Sequence, residues 1–254
     1  MNFFERNEIK VTSTIDGSSE PSLFYEADTT SGARPLIVGL HTWSWDRFNQ
    51  EKVMLPYAKK YNFHLLLPEF RGANLEENPR RNQACGSPLA VQDIFDAADY
   101  VKQNYKVDTE RIYLVGCSGG GHMSLMAAAK HPDYFRSVAC FVPITDLARW
   151  EEENPHYGKS VRACCKDRED MLLRSPVSYA ESIAKANLKI FHGKYDTSVT
   201  YKQSVDLFLE IMKIDPAARV FLDIFDGGHE MSMDVAMDWL LKGDEENKLT
   251  KVTG

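Results

Sequence analysis

The sequence predicts an α/β fold: a mostly parallel, twisted sheet with helices on both faces and antiparallel strands at its N-terminal edge. Three observations point there. From residue 36 onward, short apolar runs alternate with segments of helical period, the pattern of strands joined by helical crossovers. The chain opens differently, with Ile9, Val11 and Ile15 on one alternating face, a turn at Asp16-Gly17-Ser18-Ser19 and a partner run from Leu23 to Tyr25, which reads as an antiparallel hairpin. Finally, the apolar run Arg111 to Val115 passes through Gly116-Cys117-Ser118-Gly119-Gly120 straight into a segment with Met123, Met126 and Ala127 at helical spacing. In a sheet of this kind, sites gather at the carboxyl ends of the strands.

The elements follow in order. After the hairpin come strands at Leu36 to Leu40 and Phe63 to Leu67. Ser87-Pro88 starts a helix reaching Tyr105, because serine caps the first turn and proline fits its first position; Ile94, Ala97, Ala98, Val101 and Tyr105 share its apolar face. The glycine-flanked serine turn and its helix to Lys130 come next, then strands at Val138 to Val142, from Leu188 towards Asp196, and at Val220 to Phe225. Residues 146–182 interrupt the alternation with charged, aromatic and cysteine residues and read as a short cap over the site. Trp150, Tyr157, Met171 and Leu172 in it are candidates to line a pocket. The polar residues after Lys242 should fray. A chain of 254 residues suits one such domain, 1–254, burying roughly 70–75% of its unfolded surface.

Gly116-x-Ser118-x-Gly120 is the pattern of a sharp strand-to-helix turn that lifts a serine hydroxyl above the sheet. A serine hydroxyl attacks a carbonyl only when a base takes its proton as the bond forms. His229, in Asp226-Gly227-Gly228-His229 after the last strand, is the candidate base, since imidazole both accepts and returns protons near neutrality. Asp196, in the turn after Leu188 to His192, is the candidate carboxylate to orient that imidazole. Asp146, after the strand ending at Val142, is its main rival; Asp223 and Asp226 are weaker ones. The chain order Ser, Asp, His is the order of α/β-hydrolases. Negative charge on the substrate carbonyl calls for backbone N–H donors. Gly119 is one, and Thr42 or Trp43, in the loop after Leu36 to His41, is the other. His41, Trp45 and Trp150 are candidates for the substrate pocket.

The chain resembles the prolyl oligopeptidase-like, esterase-like branch of the α/β-hydrolases in a compact single-domain form. The likeness rests on Gly116-Cys-Ser-Gly-Gly-Gly121, Arg174-Ser-Pro176, His192-Gly193 with Asp196 and Val199, Gln203-Ser204 and Gly228-His229, and covers roughly Leu36 to Leu241. It implies an α/β-hydrolase fold, a Ser118, Asp196, His229 triad, and hydrolysis of an ester or peptide acyl bond. Three departures stand out. The family's peptidases usually carry a propeller domain that screens substrates by size, and 254 residues leave no space for one. His41-Thr42-Trp43 stands where the family commonly has His-Gly-Gly. Thr200 replaces a proline that often follows the valine of the acid loop.

A net charge of −7 and a pI near 5.5 argue against nucleic acid or an anionic membrane as partner. The five cysteines, 85, 117, 140, 164 and 165, form no even, spaced framework and read as reduced thiols. No metal-ligand cluster is visible, and the chemistry needs neither metal nor organic cofactor. No apolar N-terminal run suggests a leader and no long apolar run a membrane span, so cytoplasmic residence is expected. Three functions fit: a serine hydrolase cleaving small or medium carboxylic esters through an acyl-enzyme, a serine exopeptidase or amidase on short peptides, and a catalytically silent binding protein of the same fold.

Overall fold

A hairpin of β1 (Asn7–Thr12) and β2 (Ser19–Tyr25) opens the chain in a computed structural model that describes residues 3–252, with side chains described through residue 242. There follow β3 (Arg34–Leu40), α1 (Glu51–Tyr61), β4 (His64–Pro68), α2 (Pro88–Asn104), β5 (Val107–Cys117), α3 (Gly119–Lys130) and β6 (Ser137–Phe141). The connection from β6 to the next strand contains α4 (Leu147–Glu153), α5 (Pro155–Cys164), α6 (Arg168–Leu173) and α7 (Ala180–Ile183). The chain continues with β7 (Leu188–Gly193), α8 (Tyr201–Ile214), β8 (Val220–Phe225) and α9 (Met233–Val252). The strands form one sheet in the order β1-β2-β4-β3-β5-β6-β7-β8. The β1–β2 and β2–β4 pairs are antiparallel and all others parallel. The fold is that of an α/β-hydrolase, with the expected antiparallel edge.

Strand side chains alternate between two cores because successive residues point to opposite faces. Leu36, Val38 and Leu40 of β3, with Ile112 and Leu114 of β5, pack with α2, α3 and α8 on one face. Ile37, Tyr113 and Val115 pack with Met54 of α1 and Met237 of α9 on the other. Both faces are covered, so the central strands are apolar throughout. The sheet thereby carries the β5–α3 turn and the loops after β3, β7 and β8 at one end.

One local expectation is corrected, and one helix is added. Ile15 does not continue the alternating face of β1, which ends at Thr12; it lies in the turn and is exposed. Helix α1 was not evident in the sequence, because Pro56 lies inside it and proline removes an interior hydrogen bond. Burial of Met54 and Ala58 against the sheet offsets that loss. The expected fraying after Lys242 concerns residues that lie outside those whose side chains are described.

Candidate active site

β5 ends at Cys117, and Ser118 bridges to α3 with φ +57° and ψ −119°, a conformation that L residues rarely adopt. What permits the turn is the absence of side chains around it. A Cβ on Gly116 would lie 2.1 Å from the carbonyl oxygen of Gly120, so the strand and the first turn of the helix can meet only through glycine. The Ser118 amide donates to the carbonyl of Phe141 on β6 at 2.9 Å, tying the strained residue to the sheet.

Asp196 follows β7 and is held from four directions. Its Oδ1 accepts the amides of Ser198 at 2.8 Å and Val199 at 3.0 Å. Its Oδ2 accepts from His229 Nδ1 at 2.7 Å and lies 3.3 Å from His192 Nε2. The carboxylate is fully buried. Burial favours the neutral acid, but the hydrogen bonds from His192, His229 and the Val199 amide outweigh it and hold the group well below the usual carboxylate range. His192 is itself buried, with Nδ1 2.7 Å from Ser204 Oγ and Nε2 2.9 Å from the Val199 carbonyl. That geometry fits Nε2–H donating to the Val199 carbonyl and Nδ1 accepting the Ser204 hydroxyl.

With Nδ1 donating to Asp196, the other ring nitrogen of His229 is left for the cleft. That side chain is 27% exposed, and it lines a cleft of about 220 Å3 with Ser118, Cys117, Thr42, Trp43, Ser44, Trp45 and Tyr157. Cys117 is no rival nucleophile: burial pushes its thiol up to about 12, with a smaller contribution from the Asp196 charge. Asp146, the rival acid, caps α4 by accepting the Arg149 amide at 3.0 Å. Asp223 pairs with Lys189 at 3.1 Å.

The two candidate amides beside Gly119 are in different states. Thr42 N–H donates to Asn49 Oδ1 at 3.0 Å and is spent inside its own loop. The Trp43 amide makes no hydrogen bond among the described residues, and a Cβ on Gly119 would lie 2.5 Å from its nitrogen. Gly119, at the helix start where N–H groups lack intrahelical partners, thus lies against the Trp43 backbone.

A model of the prolyl oligopeptidase family matches residues 83–242, which takes in Ser118, Asp196 and His229. The chain belongs to the prolyl oligopeptidase family. A probable acetylxylan esterase A from Aspergillus clavatus is 22% identical over 214 residues, covering 75% of this chain and 65% of its own length. The acylamino-acid-releasing enzyme of Rattus norvegicus is 24% identical over 203 residues, covering 74% of this chain and 28% of its own. The chain thus spans two thirds or less of these curated relatives. Among solved structures, the Pyrococcus furiosus esterase Pf2001 matches with a TM-score of 0.68 at 18% identity, over 95% of this chain and 91% of that one. An acylaminoacyl peptidase in complex with Z-Gly-Gly-Phe-chloromethyl ketone matches with a TM-score of 0.71 at 21% identity, over 90% of this chain and 38% of that one. At such identities the likeness is one of fold.

In this prolyl oligopeptidase family member, two of the three pocket candidates stand behind the wall of the cleft. His41 is buried, stacks on Phe70 with ring centroids 3.9 Å apart, and has its ring nitrogens 2.9 Å from the carbonyls of Thr42 and Glu69. Trp150 is 1% exposed and donates Nε1–H to the Ser198 carbonyl at 2.8 Å. Only Trp45, 61% exposed, lines the cleft as expected. Of the cap candidates, Tyr157, stacked on Trp150 with centroids 5.0 Å apart, also lines it. The sequence offered no signal for Ser44, or for the part His192 plays at Asp196, since a histidine within a strand-end run reads first as packing. Among the described residues, no helix is long and apolar enough to cross a membrane.

Proposed function

We propose that this chain is a carboxylic-ester hydrolase working through an acyl-enzyme, with Ser118 as nucleophile, His229 as base and Asp196 as the group that orients the imidazole. The observation that carries this proposal is the joint lining of one cleft by strained Ser118 and by His229, whose far nitrogen is tied to buried Asp196. Ser118 Oγ adds to the ester carbonyl carbon while His229 Nε2 takes its proton; the tetrahedral adduct then expels the alcohol, which takes that proton back. Water repeats the two steps and frees the acid. The oxyanion is received by the amides of Gly119 and Trp43.

The ester assignment draws on the lining of the cleft, which contains no Asp, Glu, Lys or Arg. An exopeptidase needs a counter-charge for a free peptide terminus, and none of these residues supplies one. The small cleft favours short acyl groups such as the acetyl named for the Aspergillus clavatus relative, with Trp45 as an apolar platform for the alcohol side. Peptidase activity is the second reading, favoured by the match to the acylamino-acid-releasing enzyme over 74% of the chain. Cytoplasmic residence, with neither nucleic acid nor membrane as partner, belongs to the same proposal and draws on the acidic charge and five free thiols.

A fluorophosphonate probe is expected to label Ser118, and p-nitrophenyl acetate to be turned over faster than longer acyl esters and aminoacyl anilides. Absence of labelling in folded protein would favour the silent binding protein, and anilides outpacing esters would favour the peptidase.

A further inference from the structure

Three of the five cysteines meet in one place. Cys85, in the loop before α2, is packed in one buried group with Cys164 and Cys165, which close α5 some 80 residues later. All three are free and buried in the same packed group as Trp43 and Trp150. Cys85 takes a left-handed backbone, φ +50°, which costs energy in a residue other than glycine. The surrounding loop is clamped by Arg174, whose guanidinium donates to the carbonyls of Ala84 at 3.0 Å and Asn82 at 3.1 Å. Among the described residues, no His, Cys, Asp and Glu cluster has the arrangement to hold a metal ion, which leaves the redox chemistry of the thiols.

We infer that Cys85 and Cys165 form a reversible disulfide that switches the hydrolase site through Trp43. Cys165 is the attacking thiol. It is the least buried of the three, and the neighbouring Cys85 thiol, aided by the Arg174 charge, lowers its pKa against the effect of burial. Its thiolate attacks a hydroperoxide, the O–O bond breaks, and the peroxide leaves as alcohol while Cys165 becomes a sulfenic acid. The Cys85 sulfur then displaces the hydroxyl of that sulfenic acid. The hydroxide leaves with the Cys85 proton as water, so two thiols lose two electrons to one hydroperoxide. Thiol exchange reverses the bond.

Both ends of this bond connect to Trp43. On one side the Cys85 amide donates to Asn74 Oδ1 at 2.8 Å, and the Asn74 amide donates to the Trp43 carbonyl at 2.9 Å. On the other, Trp43 Nε1 donates to Ser160 Oγ at 2.9 Å on α5, the helix that ends at Cys164. A disulfide needs the sulfurs about 2.05 Å apart, far closer than two thiols merely packed together, so closing the bond draws the loop and the helix end together. That movement shifts the Trp43 amide against Gly119, where displacements near ~1 Å are costly to catalysis. The switch rests on the catalytic assignment above, but the bond itself does not.

The test treats native protein with hydrogen peroxide or tert-butyl hydroperoxide, quenches, denatures, alkylates and maps peptides without reduction. Two of the five thiols are expected to become protected, joined as Cys85–Cys165. The crosslink should persist in Cys164→Ser, which separates the neighbouring cysteines, and vanish in Cys85→Ser and Cys165→Ser. Oxidised wild type should lose about tenfold or more in kcat for p-nitrophenyl acetate with little change in KM, recover with dithiothreitol, and Cys85→Ser should be insensitive. Five alkylatable thiols after oxidation of folded wild type, or a crosslink joining other cysteines, would overturn the disulfide. A Cys85–Cys165 bond with unchanged turnover would overturn the switch. Because the peptide map needs no turnover, an inactive enzyme is distinguished from an absent disulfide.

Discussion

The backbone of Trp43 approaches Gly119 so closely that a Cβ at position 119 would lie 2.5 Å from the Trp43 nitrogen and 2.6 Å from its Cα. The contact sets the Trp43 backbone against the start of α3, beside the nucleophile, from 76 residues away in sequence. Gly119→Ala is therefore expected to push the two backbones apart while removing neither amide. Loss of one oxyanion donor costs about 10²–10³ in kcat, and a fall of that size with unchanged KM and a native circular dichroism spectrum is the expected result. Near-normal kcat would remove the Trp43 amide from the proposed chemistry.

Ser118→Ala and His229→Ala should each abolish ester turnover, and Ser118→Ala should also abolish fluorophosphonate labelling. Asp196→Asn leaves a neutral amide facing His229 and should lower kcat by about 10⁴, as loss of the orienting acid does in a serine protease. Thermal unfolding of each variant separates lost chemistry from lost structure. Retained activity in Asp196→Asn would move the orienting role elsewhere.

The buried Asp196 carboxylate makes folding stability depend on acidity. Its folded pKa is depressed, so the unfolded chain binds the proton more readily and stability rises with pH through the window between the two values. The contribution is fully present above the unfolded value of about 3.9 and is lost as pH falls through the lower folded value. Urea denaturation at several pH values should show the stability gap between wild type and Asp196→Asn constant above about pH 5 and closing below about pH 4. A gap that stays constant to lower pH would mean the carboxylate is not so held.

Trp150 reaches over the acid loop, and its indole N–H shares the Ser198 carbonyl with Asn154 Nδ2 at 2.9 Å. Trp150→Phe keeps a ring against Trp43 and Tyr157 but removes that bond. Because Asn154 still satisfies the carbonyl, the loss should be about 1 kcal/mol, a fall in Tm of about 2–4 °C for a domain of this size, with kcat reduced only a few fold. Differential scanning calorimetry beside steady-state kinetics checks both; a much larger loss of kcat would give Trp150 a direct part in the site.

Much of this was legible from residues. Gly116, Ser118 and Gly120 announce the turn because only glycines allow that close approach, and the Ser, Asp, His order was plain in the chain. Strand alternation and the Ser87-Pro88 helix start identified the sheet and its covering because periodicity is a local property. Helix α1 escaped because Pro56 breaks the local signal that burial later overrides. His41 and Trp150 could be recognised as lying near the site, but not on which side of its wall they stand. Which amide faces Gly119, how His192 supports Asp196, and where Cys85 meets Cys165 were decided only by the tertiary structure. The nature of a turn depends on neighbouring residues in the chain, whereas hydrogen-bond partners and burial depend on residues that only folding brings together.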